Sequence, residues 1–265
     1  MGLFAWLFGC DSREPYQRKN GVWTFDDEPV GDGRVATLTV LNRRFAKSPA
    51  QAFFRATPLA DADPATFEAL DEHHARDAQR VFQADTYRVS QDYFTTRRVR
   101  IRVLEGADPA RFQLLTGGYA RDDRQAWFEG EPFAVRDVAS LEVLDDGWAR
   151  DKRSGYYLRT PVDGSDGASF AALDLHHARD AKRVWYADHD HGRSPPAVVS
   201  RPIRGADPAS FKVLERGYAC DARRVYWKGQ PVDGANAASF VVEPVGGDAD
   251  ARDAARRYKD GRALP

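Results

Sequence analysis

The six histidines are the residues of this sequence whose type and spacing best suit metal or acid–base chemistry. They are His73, His74, His176, His177, His189 and His191. Imidazole nitrogens bind Zn²⁺ and other transition metals, often beside a carboxylate, and Asp190 lies between the last two histidines. A metal site would use the second group, which is His176, His177, His189 and His191. No cysteine or glutamate completes a ligand set at a recognised spacing, so we expect no metal and no cofactor.

Nucleophilic catalysis has little support in the sequence. The chain has two cysteines, Cys10 and Cys220, and neither belongs to a Cys-x-x-Cys motif. No Gly-x-Ser-x-Gly, P-loop or Gly-x-Gly-x-x-Gly motif occurs in a usable context. No general base can be paired with Cys220 from the sequence. We therefore expect that the protein is not an enzyme.

A stretch of alternating arginines is the best candidate for recognition. Residues 98–103 read RVRIRV, which on a strand puts three guanidinium groups on one face and three β-branched side chains on the other. Arginine binds carboxylates and phosphates in bidentate fashion, so this face suits an acidic partner. The alternative is a solvated strand face or a charge-protected sheet edge. Nearby aromatic residues favour an interface. The candidate partner-binding residues are Arg98, Arg100, Arg102, Tyr87, Tyr93 and Phe94.

The first nine residues, MGLFAWLFG, are apolar and precede Cys10. Leu7-Phe8-Gly9-Cys10 resembles the lipobox of a bacterial lipoprotein, but the apolar stretch is short and no Lys or Arg precedes it. We expect residues 1–16 to form an apolar N-terminal segment that docks or frays, in a cytoplasmic protein. The alternative is a cell-envelope lipoprotein anchored through Cys10, and only lipidation of Cys10 would bring the protein to a membrane.

Composition argues against several partner classes. The 265 residues are 42% apolar and 30% charged, which is typical of a folded protein with a real core. The net charge is −1, whereas nucleic-acid binders usually carry a basic excess, so we expect no nucleic-acid partner. No apolar run approaches the length needed to cross a bilayer.

The chain consists of about seven degenerate copies of a unit of roughly 29 residues. The frame is an Ala, a variable residue, an Asp, three variable residues, an apolar pair, a turn, a Pro, and then a segment such as Asp-x-Ala-Ser-Phe. The recurring alanines, spaced 29, 45, 29, 29 and 41 residues apart, are Ala46, Ala75, Ala120, Ala149, Ala178 and Ala219. The two long intervals follow the two His-His copies, which indicates that a three-unit block was duplicated.

The repeat resembles the DKNYY family of bacterial repeat proteins. The closest stretches are Asp151–Tyr157, which reads DKRSGYY, and Asp221–Trp227, which reads DARRVYW. The resemblance covers residues 20–264, although the Asn of the family name is absent and Ser48 replaces the turn Asp in the first copy. It implies a bacterial source, and it brings no activity and no functional residues to this chain.

Each unit should contain short strands joined by tight turns. The recurrent Asp can accept hydrogen bonds from backbone N–H groups and close a turn before a strand such as Val225–Trp227. Lys228-Gly229 and Glu129-Gly130 supply the following turn. The Asp-Pro-Ala-Ser-Phe type of segment predicts one helical turn that buries an aromatic side chain. In this frame, the histidine pairs replace a turn residue and a core aromatic.

These patterns predict a mainly β protein of tandem repeats, in which short antiparallel strands, each set with a one-turn helix, stack on their neighbours. The array is open or irregular, with propeller-like closure as the alternative. We expect a single repeat domain over residues 17–265, with insertions near 83–102 and 187–201. The leading functional interpretation is a non-catalytic scaffold that binds another protein through the insertions. The alternatives are an immunity-type protein that binds a bacterial toxin, the lipoprotein, and a histidine-dependent metal protein.

Overall fold

The computed structural model describes residues 14–89, 97–145, 147–190, 197–244 and 247–265. The protein is mainly β, with 41% strand and 3% helix, arranged as eight small antiparallel sheets of three or four strands in series. No sheet closes into a barrel, and the predicted fold class is confirmed. The chain divides into two compact units, residues 1–114 and 115–265, each described separately below.

The first unit contains three sheets, each built as a meander. Its strands are β1 (Tyr16–Lys19), β2 (Val22–Phe25), β3 (Glu28–Pro29), β4 (Thr39–Val40), β5 (Phe45–Lys47), β6 (Ala52–Phe54), β7 (Thr57–Leu59), β8 (Glu68–Ala69), β9 (His74–Arg76), β10 (Val81–Tyr87), β11 (Arg98–Val103) and β12 (Gln113–Leu114). The sheets are β1–β3, β4–β7 and β8–β11, with neighbours in chain order paired antiparallel.

The second unit repeats the same meander. Its strands are β13 (Tyr119–Arg121), β14 (Ala126–Phe128), β15 (Glu131–Phe133), β16 (Glu142–Val143), β17 (Trp148–Arg150), β18 (Gly155–Tyr157), β19 (Thr160–Pro161), β20 (Ala171–Ala172), β21 (His177–Arg179), β22 (Val184–Asp190), β23 (Ala197–Pro202), β24 (Lys212–Val213), β25 (Tyr218–Cys220), β26 (Val225–Trp227), β27 (Gln230–Pro231), β28 (Val241–Val242), β29 (Ala251–Arg252), β30 (Arg257–Lys259) and β31 (Arg262–Ala263). Short 3₁₀ helices span Val138–Ser140 and Ala237–Ser239.

The recurring alanine lies in the second strand of each of the seven four-stranded meanders, opposite an aromatic residue of the third strand. The pairs are Ala46 with Phe53, Ala75 with Phe82, Ala120 with Trp127, Ala149 with Tyr156, Ala178 with Trp185, Ala219 with Tyr226 and Ala251 with Tyr258. All of these alanines and aromatics are buried. The predicted frame is therefore confirmed, because equivalent positions of successive copies occupy equivalent environments.

Side chains that alternate along one strand bury both faces of a sheet. In the first unit, Phe53 packs with Tyr16 of the preceding sheet, whereas its neighbour Phe54 packs with Phe67 and Phe82 on the other side. In the second unit, Tyr156 and Tyr157 divide in the same way between two clusters. Burying a large apolar side chain stabilises by about 1.5–3 kcal/mol, so the sheets hold one another in place.

The last sheet, β28–β31, departs from this rule on one face. Asp250, Arg257 and Lys259 occupy the positions at which the preceding sheet carries the apolar residues of the β25–β26 pair. Arg257 and Lys259 are exposed, and the exposed Arg252 and Arg262 lie directly opposite them on the neighbouring strands. This face is mainly charged, although the exposed Val241 lies on it opposite Arg252, and a mainly polar face is typical of a capping repeat.

The recurrent aspartates close the turn between the second and third strands, as predicted. One carboxylate oxygen accepts backbone N–H groups two and three residues later at 2.7–2.8 Å, and the residues are Asp77, Asp122, Asp151, Asp180, Asp221 and Asp253. All six are buried. The other oxygen accepts a backbone N–H from the preceding connection at 2.8–3.0 Å in five of them. Each of these five carboxylates therefore holds two successive connections together.

The predicted one-turn helix appears as a 3₁₀ helix twice and as a hydrogen-bonded turn in other copies. Its cap residue accepts the N–H two residues later at 3.0–3.2 Å in four copies, which are Asp63, Asp108, Asp207 and Asn236. The aromatic or Leu side chain that follows is buried in five copies, namely Phe67, Phe112, Leu141, Phe170 and Phe211. Phe240 of the sixth copy is half-buried.

Both insertions lengthen a hairpin. In the ordinary sheets, the third strand is three residues long, whereas β10 and β22 have seven residues each and pair with β11 and β23 over six positions. Gly192, Pro195 and Pro196 favour an exposed loop for the second insertion, residues 187–201. This prediction is wrong for Ala187–Asp190 and Ala197–Arg201, which form strands. Ladder pairing continues through them, and Ala187 is fully buried.

Candidate interaction surface

The β10–β11 hairpin separates its arginines from its β-branched residues, as the alternation predicts. Val99, Ile101 and Val103 pack against the core that contains Phe82. Arg98 and Arg100 are exposed and Arg102 is half-buried on the opposite face. Tyr87, directly opposite Arg98 in the ladder, is 42% exposed. Tyr93 and Phe94, the remaining predicted partner-binding residues, lie outside the described residues.

Neighbouring polar residues fix two of the arginines. Arg100 forms a bidentate ion pair with Asp85, through Nε to Oδ1 at 3.2 Å and Nη2 to Oδ2 at 2.6 Å. Its guanidinium carbon lies 5.7 Å from the centre of the Tyr87 ring. Arg102 donates to Oε1 of Gln83 at 2.6 Å. Arg100 is therefore held in a defined orientation beside the exposed Tyr87, since a bidentate pair restricts guanidinium orientation, and Arg102 is held by its single hydrogen bond.

A polar cleft of about 710 Å³ lies in the same unit, lined by residues around β1 and by turns of the first three sheets. Arg55 stacks 4.4 Å from the centre of the Phe25 ring and pairs with Asp26 at 3.1 Å. Burial and the nearby positive charges of Arg97 and Arg44 lower the pKa of Arg55. The cleft also carries Asp27 and other acids, so it has no clear charge preference. Sequence reasoning did not find this cleft, because its residues come from four separate turns.

The second hairpin repeats part of the first. Tyr186 packs between His176, whose ring centre is 5.6 Å away, and the guanidinium of Arg201 at 5.2 Å. Its hydroxyl donates to Asp188 at 3.1 Å. Asp188 lies 103 residues after Asp85, the same offset that separates the duplicated alanines, so this shared acid was detectable in the sequence.

The histidine pairs have structural roles in the described residues. His73 and His176 take the position of a turn residue, and their carbonyls accept the N–H of Ala84 and Ala187 at 2.7 Å. In an ordinary sheet, Gly147 fills this position, and a Cβ there would lie 2.8 Å from the side chain of Leu158. In the two long hairpins, Ala84 and Ala187 take the place of that leucine, and the smaller side chain leaves room for the imidazole.

The second histidine of each pair fills the position of a core aromatic. His177 is 1% exposed and packs 5.8 Å from Phe211, between ring centres, and His74 lies 6.4 Å from Phe112. The Nδ1 atom of His177 lies 2.9 Å from Asp174. Within the described ranges, no group of three or more His, Cys, Asp or Glu residues is placed to hold a metal ion. His189 lies on β22, and His191 is outside the described residues.

Replacing His177 with phenylalanine should leave stability unchanged or raise it by about 1 kcal/mol. The buried Nε2 atom of His177 has no hydrogen-bond partner in the described structure, and an unsatisfied buried polar atom costs about 1–3 kcal/mol. Urea unfolding measures the change. His177→Ala, which opens a cavity, should instead destabilise by about 2–4 kcal/mol. A large loss of stability in His177→Phe would contradict the core-aromatic role.

Among the described residues, the first strand begins at Tyr16, and no described helix is long and apolar enough to cross a bilayer.

Comparison with known proteins gives no further guidance. No family model matches the chain. No curated protein and no solved structure matches it either. The similarity to the DKNYY family therefore stays a prediction.

Proposed function

We propose that this protein is a non-catalytic repeat scaffold that binds another protein through the β10–β11 hairpin. The observation that carries the proposal is the exposed row of Arg98, Arg100 and Tyr87 on a hairpin longer than those of the ordinary sheets. The opposite face of the hairpin is anchored in the core through Val99 and Ile101. A rigid scaffold thus presents this surface.

The chemistry of the surface indicates an acidic partner. Tyrosine and arginine are the side chains that most often dominate binding energy at interfaces. The ion pair with Asp85 orders Arg100 in advance, so binding costs less side-chain entropy than it would for a mobile arginine. Charged groups at the rim mainly steer association, and we therefore expect binding to weaken as salt increases.

The triple variant Arg98→Ala, Arg100→Ala, Arg102→Ala should lose the partner. The matched control replaces three exposed arginines elsewhere in the first unit, Arg18, Arg34 and Arg111, and removes the same charge. Quantitative affinity purification should recover the same protein with the wild type and the control, and about tenfold less with the triple variant. Circular dichroism confirms that each variant is folded. Equal recovery from all three would exclude this hairpin as the binding surface.

Attachment to the cell envelope is a second candidate, supported by Leu7-Phe8-Gly9-Cys10, which lies outside the described residues. Growth with labelled palmitate should label the wild type and leave Cys10→Ser unlabelled if the lipobox is used. An unlabelled wild type would remove this candidate.

A further inference from the structure

Five equivalent turns of the second unit carry positive charge at one edge of its five sheets. These are the turns closed by the recurrent aspartates, at residues 122–125, 151–154, 180–183, 221–224 and 253–256. Their exposed cationic side chains are Arg124, Lys152, Arg153, Lys182, Arg183, Arg223, Arg224 and Arg256. We call this set the basic ridge.

The geometry of the basic ridge repeats from turn to turn. Each buried aspartate accepts two backbone N–H groups of its turn, so the backbone beneath the cations has the same form in every copy. Arg183 and Arg224 each donate Nη1 to a glycine carbonyl nineteen residues earlier, at 3.3 Å and 3.2 Å. These hydrogen bonds orient the two guanidinium groups, which belong to exposed side chains and have further N–H donors.

The five turns have fewer exposed acidic side chains than cationic ones, and two acids in the adjacent connections accept hydrogen bonds from serine hydroxyls. Asp123 is the only exposed acid within the five described turns. The carboxylates of Asp166 and Asp207 accept hydrogen bonds from Ser169 and Ser210 in their own connections, at 2.7 Å and 2.6 Å. Each turn thus presents one or two exposed cations, and the eight exposed cations of the five turns outnumber their one exposed acid, Asp123, although the whole chain has a net charge of −1.

The distance between successive turns limits which ligand conformations can contact several turns at once. Consecutive sheets of this unit pack face to face through shared aromatic clusters. Packed sheets are about 10 Å apart, and one three-residue turn of a polyproline II segment spans about 9 Å and brings the side chain back to the same face. We propose that the basic ridge binds an acidic segment of another protein in the polyproline II conformation, with carboxylates at every third residue. A protein ligand suits the neutral overall charge better than a nucleic acid, whose binding usually draws on a basic excess.

The test uses the full chain and a fluorescent peptide of five Asp-Gly-Ser repeats. The ridge variant carries Arg124→Ala, Arg153→Ala, Lys182→Ala and Arg223→Ala. Alanine is tolerated at this position, because Ala255 occupies it in the last turn with the same hydrogen bond to Asp253 at 2.8 Å. The control variant removes four exposed cations elsewhere in the unit, which are Arg159, Lys212, Arg257 and Arg262. Both variants therefore have the same net charge.

Fluorescence anisotropy should show the peptide binding about tenfold more weakly to the ridge variant, since exposed ion pairs each contribute modestly. The control should bind within about twofold of the wild type. A peptide of the same composition with its five aspartates adjacent should bind more weakly to the wild type. Equal weakening in both variants, tighter binding of a single-stranded oligonucleotide than of the peptide, or no preference for the spaced peptide would overturn the proposal. The hairpin variant of the first unit should bind the peptide normally, so the two proposals fail independently.

Discussion

Replacing Asp151 with alanine should destabilise the second unit by about 3–5 kcal/mol. The carboxylate is 1% exposed and accepts four hydrogen bonds, from the backbone N–H groups of Arg153, Ser154 and Asp137 and from the hydroxyl of Tyr156, at 2.6–2.8 Å. Alanine leaves these donors without an acceptor in a buried site. Urea unfolding followed by tryptophan fluorescence suits the measurement, because four of the six tryptophans lie in this unit.

Two milder variants separate the contributions to this effect. Asp151→Asn keeps one acceptor oxygen but turns an N–H₂ group toward other donors, so it should cost about half as much as alanine. Tyr156→Phe should cost only about 1 kcal/mol. The equivalent aspartate, Asp180, closes its turn without a hydroxyl partner, since Trp185 occupies the tyrosine position there. A loss below about 1 kcal/mol in Asp151→Ala would show that the turn does not depend on the carboxylate.

The same carboxylates make stability depend on pH. Burial tends to raise the pKa of Asp151, but the hydrogen bonds from Tyr156 and the backbone outweigh it and lower the pKa. Hydrogen bonds from His74 and the backbone likewise overcome burial and lower the pKa of Asp71 to about 2. Because these pKa values are depressed on folding, the stabilisation is complete above about pH 4 and is lost as pH falls toward 2. The acid-induced loss of stability should be smaller in Asp151→Asn.

Gly229→Ala should destabilise the second unit by about 2–4 kcal/mol, for a different reason. Gly229 has φ +71° in the tight turn between β26 and β27, where an L side chain is strained. A Cβ at this position would overlap the Cβ of Tyr186 in the preceding sheet and lie 2.7 Å from its Cγ. Tyr186 is buried, so it cannot move aside without disturbing the packing between the two sheets.

Gly117→Ala is the matched control for Gly229→Ala. Gly117 belongs to the same unit and has a similar φ of +65°, but a Cβ there would meet its nearest neighbour, Val143, at 3.8 Å, an ordinary contact. This variant should cost only the backbone strain, about 1–2 kcal/mol. The difference between the two variants, measured by urea unfolding, reports how tightly the sheets are stacked. Equal losses of stability in the two variants would mean that Tyr186 can move aside at little energetic cost.

The repeat frame made much of this fold predictable. Each position recurs, so the buried role of one residue, such as Tyr226, can be inferred from its counterparts Tyr156 and Trp185. The same comparison identified the turn role of the aspartates, and it indicated that His177 replaces a core aromatic. Alternation in residues 98–103 predicted which side of the hairpin is apolar, because side chains of a strand point alternately to its two faces.

Contacts that depend on register across a hairpin were not predictable. Asp85 meets Arg100 fifteen residues later only because β10 and β11 pair as they do, and the length of the connecting segment does not fix that pairing. In five of the six turn aspartates, the second oxygen accepts an N–H from fourteen or more residues earlier, as Asp151 does from Asp137, and nothing in a single repeat indicates this link. The long β22–β23 pairing was also missed, since Gly192, Pro195 and Pro196 favour a loop.

The charged outer face of the last sheet has a consequence for solubility. Arg252 lies directly opposite Arg257, and Lys259 opposite Arg262, so each pair brings like charges together. Two acids share this face, since Glu243 pairs with Arg252 at 3.2 Å and Asp250 lies two residues before Arg252, so four cations exceed two carboxylates. A second molecule that presented this same sheet would meet an excess of positive charge with its own. Repulsion of this kind opposes fibre growth through that surface.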